Sequence, residues 1–184
     1  VNNALDELNA YADKTIYNFT EMTRNIGTFT AAGVDLDTSV AAIKGIANLA
    51  AVSGSTSVQA ATAMYQLSQA LASGTIRLMD WNSVVNAGMG GDVLQSALKE
   101  TARVHGIAID QMIEEQGSFR ETLQKGWLTS EIMLETLQKF TGDLSKEQIL
   151  AMGYTAEQAE EIIALGKDAN DAATKVKTFT QLID

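Results

Sequence analysis

Few residues in this chain have side chains suited to acid–base catalysis or metal binding. The single histidine is His105, next to Gly106, and the chain has no cysteine. A zinc site needs several such ligands, and histidine-dependent catalysis would have to rely on this one imidazole. Since a cation at a helix end also interacts well with the helix dipole, we expect His105 to be an exposed helix-end residue.

Two pairs of neighbouring carboxylates could imitate the acid and the nucleophile of a glycosidase. They are Glu114-Glu115 and Glu160-Glu161. Adjacent positions on a helix point in different directions, so the members of a pair do not face one another. We interpret both pairs as solvated helix faces, and we predict no catalytic, cofactor-binding or metal-binding residue.

Three glycines lie within the four residues GMGG, at positions 88–91. Their backbone amides could cradle a phosphate, but a phosphate loop continues with Lys and then Ser or Thr. Here Asp92 follows, and its carboxylate would repel phosphate. We therefore predict that Gly88, Gly90 and Gly91 form a turn or hinge that ends one helix and lets Asp92 cap the next.

Composition indicates that the elements around these residues are helices. The 184 residues include no proline, and 46% are hydrophobic but only 6% aromatic. A chain without proline has few places where a helix must break, and small aliphatic side chains suit close helix packing. The chain carries 23 acidic and 13 basic residues, so its net charge of -10 has the wrong sign for a phosphate backbone. We expect an all-α helical bundle that does not bind nucleic acid.

Apolar spacing divides the chain into three predicted regions. Steps of three or four residues from Leu5 to Phe29 predict one long first helix of about 28 residues, followed by an Ala-rich helical hairpin, within residues 1–76. Frequent capping residues predict a block of short helices over 77–154. Residues 155–184 are predicted to form a long amphipathic helix. Helix starts are expected at Asp80, Asp92, Ser118, Thr129, Ser145 and Thr155.

The final predicted helix has a narrow seam of mostly small apolar residues. Their spacing of three or four positions is typical of a coiled-coil-like contact, so we expect a partner helix in this chain or in a second copy. The chain starts at Val1 without an initiator Met and ends within this helix, which favours a piece of a longer parent chain. The seam consists of Ala159, Ile162, Gly166, Ala169, Ala173, Val176, Phe179 and Ile183.

Residues 45–76 contain no charged side chain. A membrane span needs about 20 mostly apolar residues, and Ser, Thr, Gln, Asn and Gly interrupt this stretch too often for spontaneous insertion. We predict a buried helical hairpin, with a conditionally membrane-active segment as the alternative. Trp81 and Trp127 lie beside predicted helix starts or turns, and we expect both to be buried anchors rather than ligand platforms.

Three stretches of the chain resemble the tape-measure proteins of long-tailed bacteriophages and prophages. The closest resemblance is in MYQLSQALASGTIRLMDWNSVVNAGMGG, residues 64–91. The preceding GVDLDTSVAAIKGIANLAAVSGSTSVQAATA, residues 33–63, is similar to the Ala-rich hairpin of that family. GSFRETLQKGWLTSEIMLETLQKFTGDLS, residues 117–145, is similar to a later segment with a Gly-Trp-Leu-Thr turn. These are glycine, tryptophan and capping positions, so the resemblance assigns no catalytic residue and no cofactor.

The resemblance implies a structural role in the virion tail. Tape-measure proteins are long helical chains that take part in tail assembly and set tail length while tube protein polymerises around them. It also implies tube protein and assembly chaperones as partners and assembly in the bacterial cytoplasm. The seam of the final helix allows a homo-oligomer, and the uncharged stretch at 45–76 leaves conditional contact with the host membrane open. Two other classes remain open: a membrane-active helical toxin or adaptor, and a cell-wall hydrolase segment. A hydrolase would need a nucleophile–base pair, metal-binding histidines or a catalytic Glu in a cleft.

Overall fold

The computed structural model describes the backbone of residues 2–15, 17 and 19–183, and the side chains of residues 3–15, 17 and 20–175. Within these ranges the chain forms α-helices and one 3-10 helix, with no β-strand, which confirms the predicted all-α bundle. The α-helices are α1 (Asn2–Lys14), α2 (Phe19–Ala31), α3 (Leu36–Val52), α4 (Ser57–Ser73), α5 (Leu78–Asn86), α6 (Asp92–Val104), α7 (Ile109–Gln116), α8 (Phe119–Thr122), α9 (Ser130–Gln138), α10 (Lys146–Ala151) and α11 (Ala156–Ile183), and the 3-10 helix is Leu123–Lys125.

Helix α3 is the centre of the bundle. Every residue from Ala42 to Ala50 is buried, and α1, α2, α4, α9 and α11 all pack against this helix. Small side chains allow these neighbours to approach closely, which explains the Ala-rich composition of the segment. A residue with a left-handed backbone, Gly54, then turns the chain into α4 and completes the predicted hairpin.

The predicted long first helix is wrong in one respect, because the chain leaves helical geometry after Lys14 and α2 begins at Phe19. A straight helix from Leu5 to Phe29 would be about 38 Å long, whereas the 17 residues of α3 span only about 26 Å. The break keeps both halves on the core: α1 packs on α3, and α2 packs on α3 and α4. Packing here overrides the helical period, since no Gly or Pro lies between Lys14 and Phe19.

Most of the predicted helix starts are confirmed by capping hydrogen bonds. The side chains of Ser118, Thr129 and Ser145 each accept from the backbone amide three residues later. Thr155 does the same before α11, and the Gln158 side chain returns the bond to the Thr155 amide. Near the start predicted at Asp80, α5 begins two residues earlier, and the Asp80 carboxylate accepts from the Arg77 amide.

One large buried cluster draws side chains from all three predicted regions, and that division of the chain remains a prediction. Trp81 and Trp127 are 1% and 7% exposed, which confirms the expectation that both are buried. Phe119 lies between them, with ring centroids 5.1 Å from Trp81 and 5.9 Å from Trp127. This aromatic group joins α5, α8 and the segment before α9.

Candidate functional site

The glycine-rich turn joins α5 to α6 and is closed by backbone hydrogen bonds. Gly88 has a left-handed backbone with φ 79°, and a Cβ on Gly90 would lie only 2.6 Å from Val85 Cγ2. The predicted cap requires a correction: Gly91 is the N-cap of α6, and Asp92 is the first helical residue. Its carboxylate therefore lies in the first turn, where it interacts favourably with the helix dipole.

The residues considered for catalysis do not converge. His105 follows the last residue of α6, is exposed as predicted, and its Nε2 lies 2.7 Å from Glu135 Oε2. Glu115 accepts from Gln111 on its own helix, and Glu160 pairs with Lys146. No group of three or more His, Cys, Asp or Glu side chains suited to a metal ion occurs in the described part of the chain.

The seam of α11 divides between two parts of the core. Ala159 and Ile162 pack with a small cluster near α10, whereas Ala169 and Ala173 belong to the main core, and α11 packs against α3. A Cβ on Gly166 would lie 2.9 Å from the Lys139 carbonyl oxygen, so a larger residue would push α11 away from the loop after α9. The side chains of the remaining seam positions, Val176, Phe179 and Ile183, lie outside the described residues.

Asn48 forms a buried polar junction at the point where α1 and α11 meet α3. Tyr11 Oη donates to Asn48 Oδ1 at 2.6 Å, and Asn48 Nδ2 donates to the Phe140 carbonyl at 2.8 Å. The same nitrogen lies 3.4 Å from Asn170 Oδ1 on α11. Burial raises the pKa of Tyr11, and the nearby Tyr17 raises it further, so the phenol stays a hydrogen-bond donor. The Asn48 side chain therefore connects α3 with α1, with the loop after α9 and with α11.

One turn before Asn48, Lys44 makes a second link from α3 to α1 and to the loop after α9. Its Nζ lies 2.7 Å from Asp143 Oδ2 in the loop after α9 and 3.1 Å from Glu7 Oε1 on α1. The ammonium also lies 5.5 Å from the centre of the Tyr11 ring. The lysine side chain is only 8% exposed, so losing either carboxylate would leave a charge poorly compensated.

A second buried cation, Lys139, lies between α6, α9 and the segment before α11. Its Nζ contacts Glu100 Oε1 at 3.0 Å and the Ala97 carbonyl at 3.2 Å, and it lies 4.6 Å from the centre of the Tyr154 ring. Burial lowers the pKa of Lys139, and the attraction of Glu100 partly offsets that effect. Loss of the Glu100 carboxylate would leave this buried ammonium without its counter-ion.

Sequence analysis missed these buried polar groups, although one signal was present. Lys44 and Asn48 are four residues apart on a helix, so they share a face in a segment that is otherwise apolar. A polar pair on a buried face needs partners. The partners could not be identified, because Asp143 and Asn170 are far away in sequence.

The described helices include none that is long and apolar enough to span a membrane. The uncharged stretch at 45–76 forms about half of α3, from Gly45 to Val52, and all of α4. On α4, Val58 and Tyr65 remain 74% and 48% exposed. The helical hairpin is present, but only α3 is buried along most of its length, whereas α4 keeps one exposed face.

A comparison with protein families gives a match over most of the chain. A family model described as tape measure protein matches residues 1–164, which include α1 to α10 and the start of α11. Searches of curated proteins and of solved structures found no match.

Proposed function

The chain belongs to the tape measure protein family, and on that basis we propose that it is a folded helical module taking part in tail assembly and tail-length determination. Family membership makes it a structural component of a phage tail. The proposal concerns the state of this segment: it acts as a compact unit rather than as a drawn-out helix.

The observation that carries the proposal is the return of α11 onto α3. Asn48 contacts residues from α1, the loop after α9 and α11, and Lys44 reaches Asp143 across 99 positions. A chain extended along a tail would lose all of these contacts. Frequent helix caps favour the same conclusion, because a segment that only measures length gains nothing from repeated helix stops.

We further propose how the module is joined to its surroundings. The seam of α11 is its internal partner surface from Ala159 to Ala173, and Gly88, Gly90 and Gly91 are a hinge between α5 and the short helices that follow. Tube protein and assembly chaperones are the proposed partners, assembly occurs in the bacterial cytoplasm, and copies of the parent chain can associate. The three sequence regions are proposed as parts of this one unit.

In-frame deletion of the module from the parent protein tests the proposal. As one continuous helix the 184 residues would span roughly 276 Å, so a purely extended ruler predicts tails shorter by nearly that length. A folded module predicts failed assembly or tails of unchanged length. Electron micrographs of the tails give the measurement.

Leu137→Asp is the matched variant, because it keeps the residue count and places a charge in the core. We expect this variant to reproduce the defect of the deletion if the deletion blocks assembly. Tails of normal length from Leu137→Asp, together with proportionally shortened tails from the deletion, would contradict the folded-module proposal.

A further inference from the structure

An open groove lies between α6 and α11, away from the buried polar junctions on α3. The groove has a volume of about 370 Å³ and is open to solvent. Its apolar lining comes from Val93 and Ala97 on α6 and from Ile162 and Leu165 on α11. Val93 is 40% exposed, whereas Ala97 and Ile162 are almost fully buried and form the floor. The groove therefore offers a protein partner an apolar contact surface.

The charged residues that line the groove are all acidic. Asp92 and Glu100 lie on α6, and Glu161 lies on α11. Glu100 pairs with Lys139 yet its side chain remains 21% exposed. Among the described residues that line the cavity there is no Lys and no Arg. An occupant must therefore bring apolar side chains for the floor and positive charge for the walls.

We propose that this groove binds a basic amphipathic helix of another protein, with apolar anchors in the groove and Lys or Arg side chains beside the carboxylates. The α6 lining runs from Asp92 to Glu100, which corresponds to about two helical turns or 12 Å. Anchors three or four positions apart on one helical face match that length.

The acidic residues of the groove favour a basic helix over a second copy of the chain, nucleic acid or a membrane. A second copy of the chain brings a further net charge of -10, and nucleic acid or an anionic membrane also brings negative charge to these carboxylates. A basic amphipathic helix is the partner that interacts favourably with both the apolar residues and the carboxylates of the groove. The inference does not depend on the proposed role in the tail, because binding is measured on the isolated chain.

A labelled synthetic helix of about four turns, with Leu on one face and Lys beside it, serves as the probe. The matched probe has Glu in place of each Lys. Fluorescence anisotropy with the 184-residue chain should show saturable binding of the Lys helix and none of the Glu helix. Binding should weaken as salt screens the carboxylates.

Two variants with the same charge change locate the binding site. Val93→Lys puts a cation at the groove, and Met79→Lys makes the equivalent change on α5, where Met79 is 78% exposed. We expect Val93→Lys to weaken binding about tenfold or more and Met79→Lys to change it less than about twofold. Ser96→Lys, at another exposed position of the groove, serves the same purpose if Val93→Lys lowers the helix content.

Several results would overturn the proposal. Equal losses for Val93→Lys and Met79→Lys would mean attraction to the overall negative charge, and equal binding of both probes would mean that the carboxylates do not select the partner. Absence of saturable binding up to about 1 mM probe would show that the groove does not bind a basic amphipathic helix. Sedimentation showing a dimer that Val93→Lys dissociates would assign the groove to a second copy instead.

Discussion

Single buried polar side chains determine where the outer helices attach to α3. Asn48 is fully buried and connects Tyr11, Phe140 and Asn170, while Lys44 connects Glu7 and Asp143. An apolar contact of Ala-rich helices tolerates sliding, whereas a hydrogen bond requires one register. The types and spacing of Lys44 and Asn48 are visible in the sequence, but their partners depend on the tertiary fold.

Asn48→Ala should lower the free energy of unfolding by about 1–3 kcal/mol, because the Tyr11 hydroxyl and the Phe140 carbonyl lose their partner inside the core. Urea unfolding followed by circular dichroism gives the value. Asn9→Ala, at an exposed position of α1, is the control and should change stability by less than about 0.5 kcal/mol. Equal changes in the free energy of unfolding for the two substitutions would show that the Asn48 hydrogen bonds do not stabilise the fold.

Tyr17 makes stability sensitive to alkaline pH. Its hydroxyl donates to the Ala47 carbonyl, and burial raises its pKa to about 12. Between pH 10 and about 12 the unfolded chain loses a proton that the folded chain keeps, so stability falls as pH rises. The raised pKa values of Tyr11 and Tyr154 act in the same direction, and the lowered pKa of Lys139 acts in the opposite direction.

We expect the urea midpoint to decrease between pH 9 and pH 11, with a smaller decrease in Tyr17→Phe. The comparison uses the slope against pH, because the variant also loses a hydrogen bond at every pH. An equal slope in both proteins would show that Tyr17 does not contribute.

At the scale of helices, sequence predicts the ends better than it predicts continuity. Caps such as Ser145 and Thr155 are local, since side chain and amide are three residues apart, and the structure has them as expected. The break between α1 and α2 was missed because it results from packing: Tyr11 at the end of α1 and Tyr17 within the break both donate hydrogen bonds to α3. Asp92 was misplaced by one position because glycine can also serve as an N-cap.

Two glycines within helices allow the effect of close packing on stability to be measured separately from the effect of helix propensity. A Cβ on Gly45 in α3 would overlap the Leu137 carbonyl oxygen, whereas a Cβ on Gly27 in α2 would meet nothing within 4 Å. Gly45→Ala should therefore destabilise the chain by about 1–3 kcal/mol through forced separation of α3 and α9. Gly27→Ala should stabilise it by about 0.5–1 kcal/mol. Thermal unfolding of both variants is the measurement, and a stabilising Gly45→Ala would contradict the close α3–α9 contact.

At the scale of the whole molecule, the bundle is closed by α11 returning to α3, the helix near the start of the chain. The all-α class and the family could be recognised from composition, helix caps and the three resembling stretches. The groove between α6 and α11 could not, because it is formed by helices about 60 residues apart in sequence. The same long-range contacts distinguish a folded module from an extended ruler.

The most direct test of the folded module is carbodiimide cross-linking of intact tails, read by mass spectrometry. The reagent joins an amine to a carboxylate without a spacer, and Lys44 Nζ lies 2.7 Å from Asp143 Oδ2. In a continuous helix these residues would be about 150 Å apart. Asp171 and Lys175, four positions apart on α11, report that the reagent works in either state. We predict that tails yield both the Lys44–Asp143 and the Asp171–Lys175 cross-links; tails that yield only the second would contradict the account.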